Sequence, residues 1–345
     1  MSTELENGEV AANMVDRLLT VEIRYGKRPD VNLIPDLYDA AREKLGGLPI
    51  SLLAAKKLIE NVKEGDTVFI MDGFAYLPNF PYGENDGPLG IASLARSLRL
   101  GLGAIPVIVA GEGDLTPAEK TTVAAGLTLL DFEAAKAANI QTATSEKFPT
   151  VSKEESAKIS AELFEKYSPK AVISIETVGP NSKGVKHTGD GNDVEAVANI
   201  AALEHLIFEA EKRGVLTIGC VDGGNEIGCG TIEEAVRKYR FNGSTCLCSC
   251  QGGTVCTVKT DIVYPASVYN WAAYGISAML SYLLNKPDIL QDEATERRML
   301  EASIDHGSVD GEEGQLILSC DAVDYVTGEG MLTLLRKIIS TALVK

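Results

Sequence analysis

Three loops of this chain, rich in turn residues and glycine, hold the residue types that could do chemistry. The densest is Val215-Leu-Thr-Ile-Gly-Cys-Val-Asp-Gly-Gly-Asn-Glu-Ile-Gly-Cys-Gly230, which starts as a β-branched run and ends with Asp222, Gly223, Gly224, Asn225 and Glu226. Glycine lets backbone approach a ligand closely, and carboxylates can hold a metal or move a proton. A second loop follows Glu176 and carries Asn181, Lys183, Lys186, His187 and Asp190. A third, Glu84-Asn-Asp-Gly-Pro88, carries Glu84 and Asp86.

Each loop follows a segment that reads as a buried strand: Thr67–Met71, Ala171–Ile175 and the run from Val215. Another strand is expected at Ile105–Ala110, and further strands at Cys246–Cys250 and Val255–Tyr264. Helical periodicity covers Ala11–Arg24, Ile34–Leu45, Pro49–Val62, Leu89–Leu102, Val194–Arg213, Val268–Leu284, Ala294–Ser303 and Glu329–Leu343. Ser152 with Glu155, and Thr231 with Glu234, have the spacing of capping boxes. Strands alternating with amphipathic helices predict an α/β fold in three layers, a largely parallel sheet with helices on both faces and helical additions at the termini. The acidic, polar residues 1–10 read as a flexible tail, and 11–345 as a single α/β domain.

In a parallel sheet the three loops leave the same edge, at the carboxyl ends of the strands, where open α/β sheets bind ligands. Converging there, Glu84, Asp86, Asp222 and Glu226 offer oxygen ligands of the kind that suit Mg²⁺ or Mn²⁺. Lys183 and Lys186 are local cations for an anionic substrate, and His187 is a candidate acid or base near neutral pH, or else an exposed loop histidine. Asn270, in the first turn of the helix after Pro265, puts an amide at a helix N-terminus able to bind a carboxylate, while its neighbour Trp271 reads as packing. Gly219 to Gly230 lacks the G-x-G-x-x-G frame and its distal acid, so NAD is not expected. Cys246-Leu-Cys-Ser-Cys250 alternates with period two, which predicts a strand face of small buried thiols. Zinc ribbons use C-x₂-C pairs on turns, so neither a zinc ribbon nor an iron–sulfur cluster is expected.

The chain has 345 residues, 45% of them hydrophobic, enough for a substantial core. Its net charge of −17 argues against nucleic acid or an anionic membrane as partner. Seven cysteines at low density fit free thiols in a reducing compartment, and no secretory signal, transit peptide or membrane span is read, so a cytoplasmic protein is expected. A homo-oligomer is left open.

Taken together, these motifs resemble the D-glutamate cyclase family, in its C-terminal domain. The resemblance rests on Gly73-Phe74, Glu84-Asn-Asp-Gly-Pro-Leu-Gly90, Ile175-Glu176 with its following loop, Asp222-Gly-Gly-Asn-Glu-Ile-Gly-Cys-Gly230, Asn270-Trp271 with Gly275, and the terminal helix after Asp321. It covers the chain from about Leu37 onward. Departures from the family pattern are Asn85 for threonine, Leu89 for a second proline, Cys229 for methionine and Ala272-Ala273 for a glycine pair. The resemblance implies a lyase that interconverts D-glutamate and 5-oxo-D-proline plus water. In that reading Glu226, Asp222, Glu176 and His187 are catalytic, and Gly223, Gly224, Asn225, Asn181, Lys186 and Asn270 bind the substrate. A Mg²⁺ or Mn²⁺ on Asp86, Glu84, Asp222 and Glu226 would polarise the γ-carboxyl. The same acidic site would also serve a metal-dependent phosphatase, and a non-enzymatic ligand-binding protein is the third reading.

Overall fold

The computed structural model describes residues 2–24, 29–191, 197 and 200–343. Its centre is a seven-stranded sheet in the order β3-β4-β2-β1-β5-β6-β7, with every pairing parallel. The strands are β1 (Thr67–Gly73), β2 (Ile105–Ala110), β3 (Thr128–Leu129), β4 (Thr142–Lys147), β5 (Ala171–Thr177), β6 (Leu216–Val221) and β7 (Ile262–Pro265). β1, β2, β5 and β6 are buried along their whole length, as expected of β-branched runs covered on both faces. A small antiparallel pair, Ser319–Cys320 with Val323–Asp324, lies apart from this sheet.

The helices are α1 (Ser2–Leu19), α2 (Leu33–Lys44), α3 (Ile50–Asn61), α4 (Pro88–Leu102), α5 (Glu112–Ala124), α6 (Phe132–Ala137), α7 (Lys153–Tyr167), α8 (Glu204–Arg213), α9 (Glu233–Tyr239), α10 (Tyr269–Leu283), α11 (Glu293–Asp305) and α12 (Tyr325–Leu343). α4 packs on α10 and α5, α3 on α10, and α7 on α8. On β1, Phe69 meets Phe164 and Tyr167 of α7 edge to face, with centroids 5.5 and 5.6 Å away. Trp271 is buried in the core, as its packing role predicts.

Several expectations need correction. The tail expected at 1–10 is helical from Ser2, in keeping with a proline-free stretch that carries Glu4, Glu6 and Glu9. Of the expected helix Val194–Arg213, Val197 and Glu204–Arg213 are helical and 200–203 are not, while 192–196 and 198–199 lie outside the described residues. Ser152 does cap α7, accepting from the Glu155 N–H at 3.2 Å. Thr231 caps nothing. Its hydroxyl donates to the Thr260 carbonyl at 2.8 Å and accepts from the Thr260 N–H at 3.1 Å, tying its loop to the approach to β7. That leaves the strand of the second segment confined to Ile262–Pro265. Cys246–Cys250 is not a strand at all but a series of turns, ending at Gln251 and Gly253 with φ of +51° and +79°.

The chain order places the site. From β1 it runs outward to β2 and the edge strand β3, returns to fill β4 between them, crosses back, and lays β5 on the other side of β1 before continuing to β6 and β7. The loops after β1 and β5 therefore part company, and the crevice between them is the switch point where open α/β sheets take ligands. No helix among the described residues is long and apolar enough to cross a membrane.

Candidate active site

Glu176 is the residue the backbone is bent to present. Met71 pairs with Ser174 and Gly73 with Thr177, so β5 carries one residue more than β1 across this step. Such a bulge re-aims side chains, and Glu176 sits in it with φ +41°, a left-handed conformation that costs a non-glycine residue about 1–2 kcal/mol. Its carboxylate is buried, and Oε2 has no hydrogen-bond partner. Burial first, and then the charges of Glu84, Asp86, Asp222 and Glu226, hold this carboxyl well above the usual range. Gly87 makes room for it. At φ +135°, a Cβ at that position would stand 3.1 Å from the Glu176 Cβ and 3.0 Å from Asp72 Oδ1.

Asp86 and Asn270 lock two helix N-termini together. Asp86 accepts from the Tyr269 and Asn270 N–H groups at 2.8 and 2.9 Å, at the start of α10. Asn270 returns the contact, its Oδ1 accepting from Gly87 and Gly90 N–H at 3.0 and 2.6 Å at the start of α4, while its Nδ2 donates to the Asn85 carbonyl at 3.0 Å. Burial, followed by the Asp222 charge, raises Asp86 to about 8 in spite of those two N–H donors.

Glu226 is fully buried behind Tyr269. The Tyr269 hydroxyl donates to Oε1, while the Gly224 N–H at 2.8 Å and the Cys229 thiol at 3.1 Å donate to Oε2. Burial and then Asp222 push Glu226 upward. Burial, then the charges of Asp222, Glu176 and Glu226, keep the phenol well above its ordinary value, so Tyr269 is a proton-bearing donor. The loops of Glu176 and Glu226 pair directly. Ile227 N–H donates to the Thr177 carbonyl at 2.9 Å, and Gly179 N–H to the Asn225 carbonyl at 3.0 Å.

These groups face a cavity of about 600 Å³. Its carboxylates are Glu84, Glu176, Asp190, Asp222, Glu312 and Asp321, its one lining cation among the described residues is Arg240, and Phe74, Tyr76, Phe80, Phe241 and Tyr269 supply aromatic wall. Beside it, oxygens of Asp86, Asp222 and Asp321 lie within 4.8 Å of one another. Arg24 ion-pairs with both Asp222 and Asp321, supplying positive charge to this cluster. Hard oxygen donors at this spacing, next to the unpartnered Glu176 Oε2, fit Mg²⁺ or Mn²⁺.

The structure thus gathers Glu84, Glu176, Asp222 and Asn225 on the cavity, with Asp86 and Glu226 directly behind. Of the four expected metal ligands, Asp86 and Asp222 share the oxygen cluster, Asp321 is its third member, and Glu84 and Glu226 stand outside it. Other sequence candidates are engaged elsewhere. Lys186 pairs with buried Glu204 at 3.1 Å and donates to the Ala201 carbonyl at 3.0 Å. Asn181 accepts from Lys183 and Val185 N–H and donates to the Gly253 carbonyl, bracing two loops. Asn270 joins helix ends rather than the cavity wall, and His187 turns its Nε2 to the thiols of Cys248 and Cys250, away from the acids. Gly224, at φ +111°, leaves its N–H to Glu226, and a Cβ there would meet Val236 at 2.6 Å; neither it nor Gly223 lines the cavity. Sequence reasoning missed Tyr269, Asp321 and Arg24, and also Asp72, a buried acid at the end of β1 raised by burial and then by Asp114, Glu84 and Asp86.

A doubly wound parallel sheet with buried, mutually repelling carboxylates at its switch point is the architecture of an α/β ligand site, and acids perturbed in this way mark a candidate active site. The chain belongs to the family described as D-glutamate cyclase-like, C-terminal, whose model matches residues 45–336. It is 28% identical over 114 residues to the human protein named D-glutamate cyclase, mitochondrial, an alignment covering 33% of this chain and 17% of that protein's length.

Proposed function

We propose that this protein interconverts D-glutamate and 5-oxo-D-proline plus water. The observation that carries the reading is Glu176, a strained, buried carboxylate with an unpartnered oxygen at the mouth of the switch-point crevice, in a chain of this family.

Ring closure joins the substrate nitrogen to the carbon of the γ-carboxyl group and breaks one of that carbon's C–O bonds. Two protons leave the ammonium nitrogen and two end on the departing oxygen, so the site has to relay protons without net consumption. Glu176, its carboxyl held well above the usual range by burial and then by its acidic neighbours, is the group assigned to accept a proton from the ammonium. Tyr269 lines the cavity and its hydroxyl donates to Glu226; turned off that carboxylate it would donate to the departing oxygen, with Glu226 supplying the replacement proton. Arg240, ion-paired with buried Asp30, is the lining cation among the described residues and adds positive charge beside a substrate carboxylate, and aromatic side chains supply apolar wall. Asp86, Asp222 and Asp321 would hold a divalent ion, which when bound supplies Lewis-acid polarisation of the γ-carboxyl.

The test is incubation with each enantiomer of glutamate and 5-oxoproline, with and without Mn²⁺ or Mg²⁺, followed by chiral chromatography. Conversion of the D forms is the expected result. No conversion under any of these conditions, with phosphate release from an aryl phosphate instead, would overturn the reading in favour of a phosphohydrolase.

A further inference from the structure

We propose that His187, Cys246, Cys248 and Cys250 form a structural zinc site. The four ligand atoms lie within 4.8 Å of one another although the residues come from two separate loops. The Cys246 sulfur is 3.3 Å from both the Cys248 and Cys250 sulfurs, and His187 Nε2 is 3.4 Å from Cys248 and 3.7 Å from Cys250. With Zn–S about 2.3 Å and Zn–N about 2.0–2.1 Å, a tetrahedral site has edges of about 3.8 Å between sulfurs and about 3.5 Å from sulfur to nitrogen. These four edges need adjustments of about half an ångström or less, and the remaining two lie within 4.8 Å. A four-iron cluster holds its cysteine sulfurs much farther apart, and a two-iron cluster does so for ligands on its different irons, so four ligand atoms all within 4.8 Å select a mononuclear ion.

The surroundings are those of a thiolate knuckle. Cys250 Sγ receives the Gly252 N–H and the Asn181 amide, both at 3.4 Å. Gln251, in a left-handed turn, folds its side-chain amide back onto the Cys246 and Cys248 carbonyls at 3.2 and 2.7 Å. All four ligand positions are filled by protein, and His187 and Cys246 are buried, which is the pattern of a structural rather than a catalytic zinc. The ion would fasten the loop after β5 to the turns at 246–250. Thr188, Gly189 and Asp190, which follow His187 directly, form a wall of the large cavity, and Asn225 donates to the His187 carbonyl at 3.0 Å. Zinc thus sets the position of the cavity wall without touching the acids.

The test is elemental analysis of the full chain purified under reducing conditions from zinc-supplied medium, followed by cobalt exchange and visible absorption. One zinc per chain is expected, and cobalt should give thiolate charge-transfer and tetrahedral ligand-field bands. The Asp222→Asn variant should keep both signals, whereas Cys248→Ala and His187→Ala should lose metal or weaken the bands. Should a variant fail to fold, the wild-type cobalt spectrum still decides, because only cysteine ligands give that charge transfer. Absence of zinc together with no cobalt uptake, iron in place of zinc, or metal lost with Asp222→Asn and kept with Cys248→Ala would each overturn the proposal.

Discussion

Two buried carboxylates in this molecule meet opposite fates. Asp16 of α1 and Glu176 of β5 are equally withdrawn from water, at 1% and 2% exposure. Asp16 accepts from the Tyr38 hydroxyl at 2.5 Å, the Tyr264 hydroxyl at 2.6 Å and the Ile50 N–H at 2.7 Å, tying α2, β7 and the start of α3 together. Glu176 has an unpartnered oxygen, a left-handed backbone and four acidic neighbours. Desolvation raises both acids, but only the first has hydrogen bonds that offset the cost of burial. A satisfied buried acid organises a fold. An unsatisfied one is tolerated where its reactivity is used.

The contrast breaks most sharply at Glu176. Replacing it with Gln keeps shape and removes the base, so conversion of 5-oxo-D-proline should fall by about 10²–10⁴-fold. Thermal stability should stay level or rise, because a repelled carboxyl is gone. The mirror experiment is Asp16→Ala, which strands two tyrosine hydroxyls and a helix N-terminus and should cost roughly 3–5 kcal/mol in a denaturant titration. Any D-glutamate chemistry per folded molecule should survive it. Tyr269→Phe tests the relay to Glu226 and should lower turnover by about 10–100-fold with a smaller change in KM.

The smallest effect concerns pH. Glu296, buried and bonded to the Tyr274 hydroxyl at 2.7 Å, is lifted by desolvation from 4.5 to about 7. Its folded value lies above its unfolded one, so its stabilising contribution is complete below about pH 4.5 and is lost as pH climbs through 7. Between those limits the wild type should lose about 1–3 kcal/mol relative to Glu296→Gln, measured by urea unfolding across pH. A wild type and variant with parallel pH profiles would contradict the assignment.

Much of this site was legible from local pattern. A β-branched run that empties into glycines and acids marks a strand end, and in a parallel sheet strand ends share an edge, which is how Asp222, Glu176 and Asp86 could be grouped. Arg24 and Asp321 could not be, because Arg24 meets Asp222 and Asp321 across 198 and 297 positions and no periodicity encodes it. Asn270 was visible as an amide at a helix start, but its partners are the N–H groups of a second helix, which only packing reveals. Cys246, Cys248 and Cys250 show where period two misleads. The same spacing that puts side chains on one face of a strand also lets a turn gather them around a point, and the histidine that distinguishes the two lies about sixty residues away, at His187.

The central claim is that the frustrated acid, not the satisfied one, does the chemistry. It is tested most directly by incubating wild type and Glu176→Gln with 5-oxo-D-proline under identical conditions and quantifying D-glutamate by chiral chromatography, with thermal midpoints recorded on the same samples. The account predicts product from the wild type, at least about a hundredfold less from the variant, and an unchanged or higher midpoint. D-Glutamate formed at comparable rates by both proteins would contradict it.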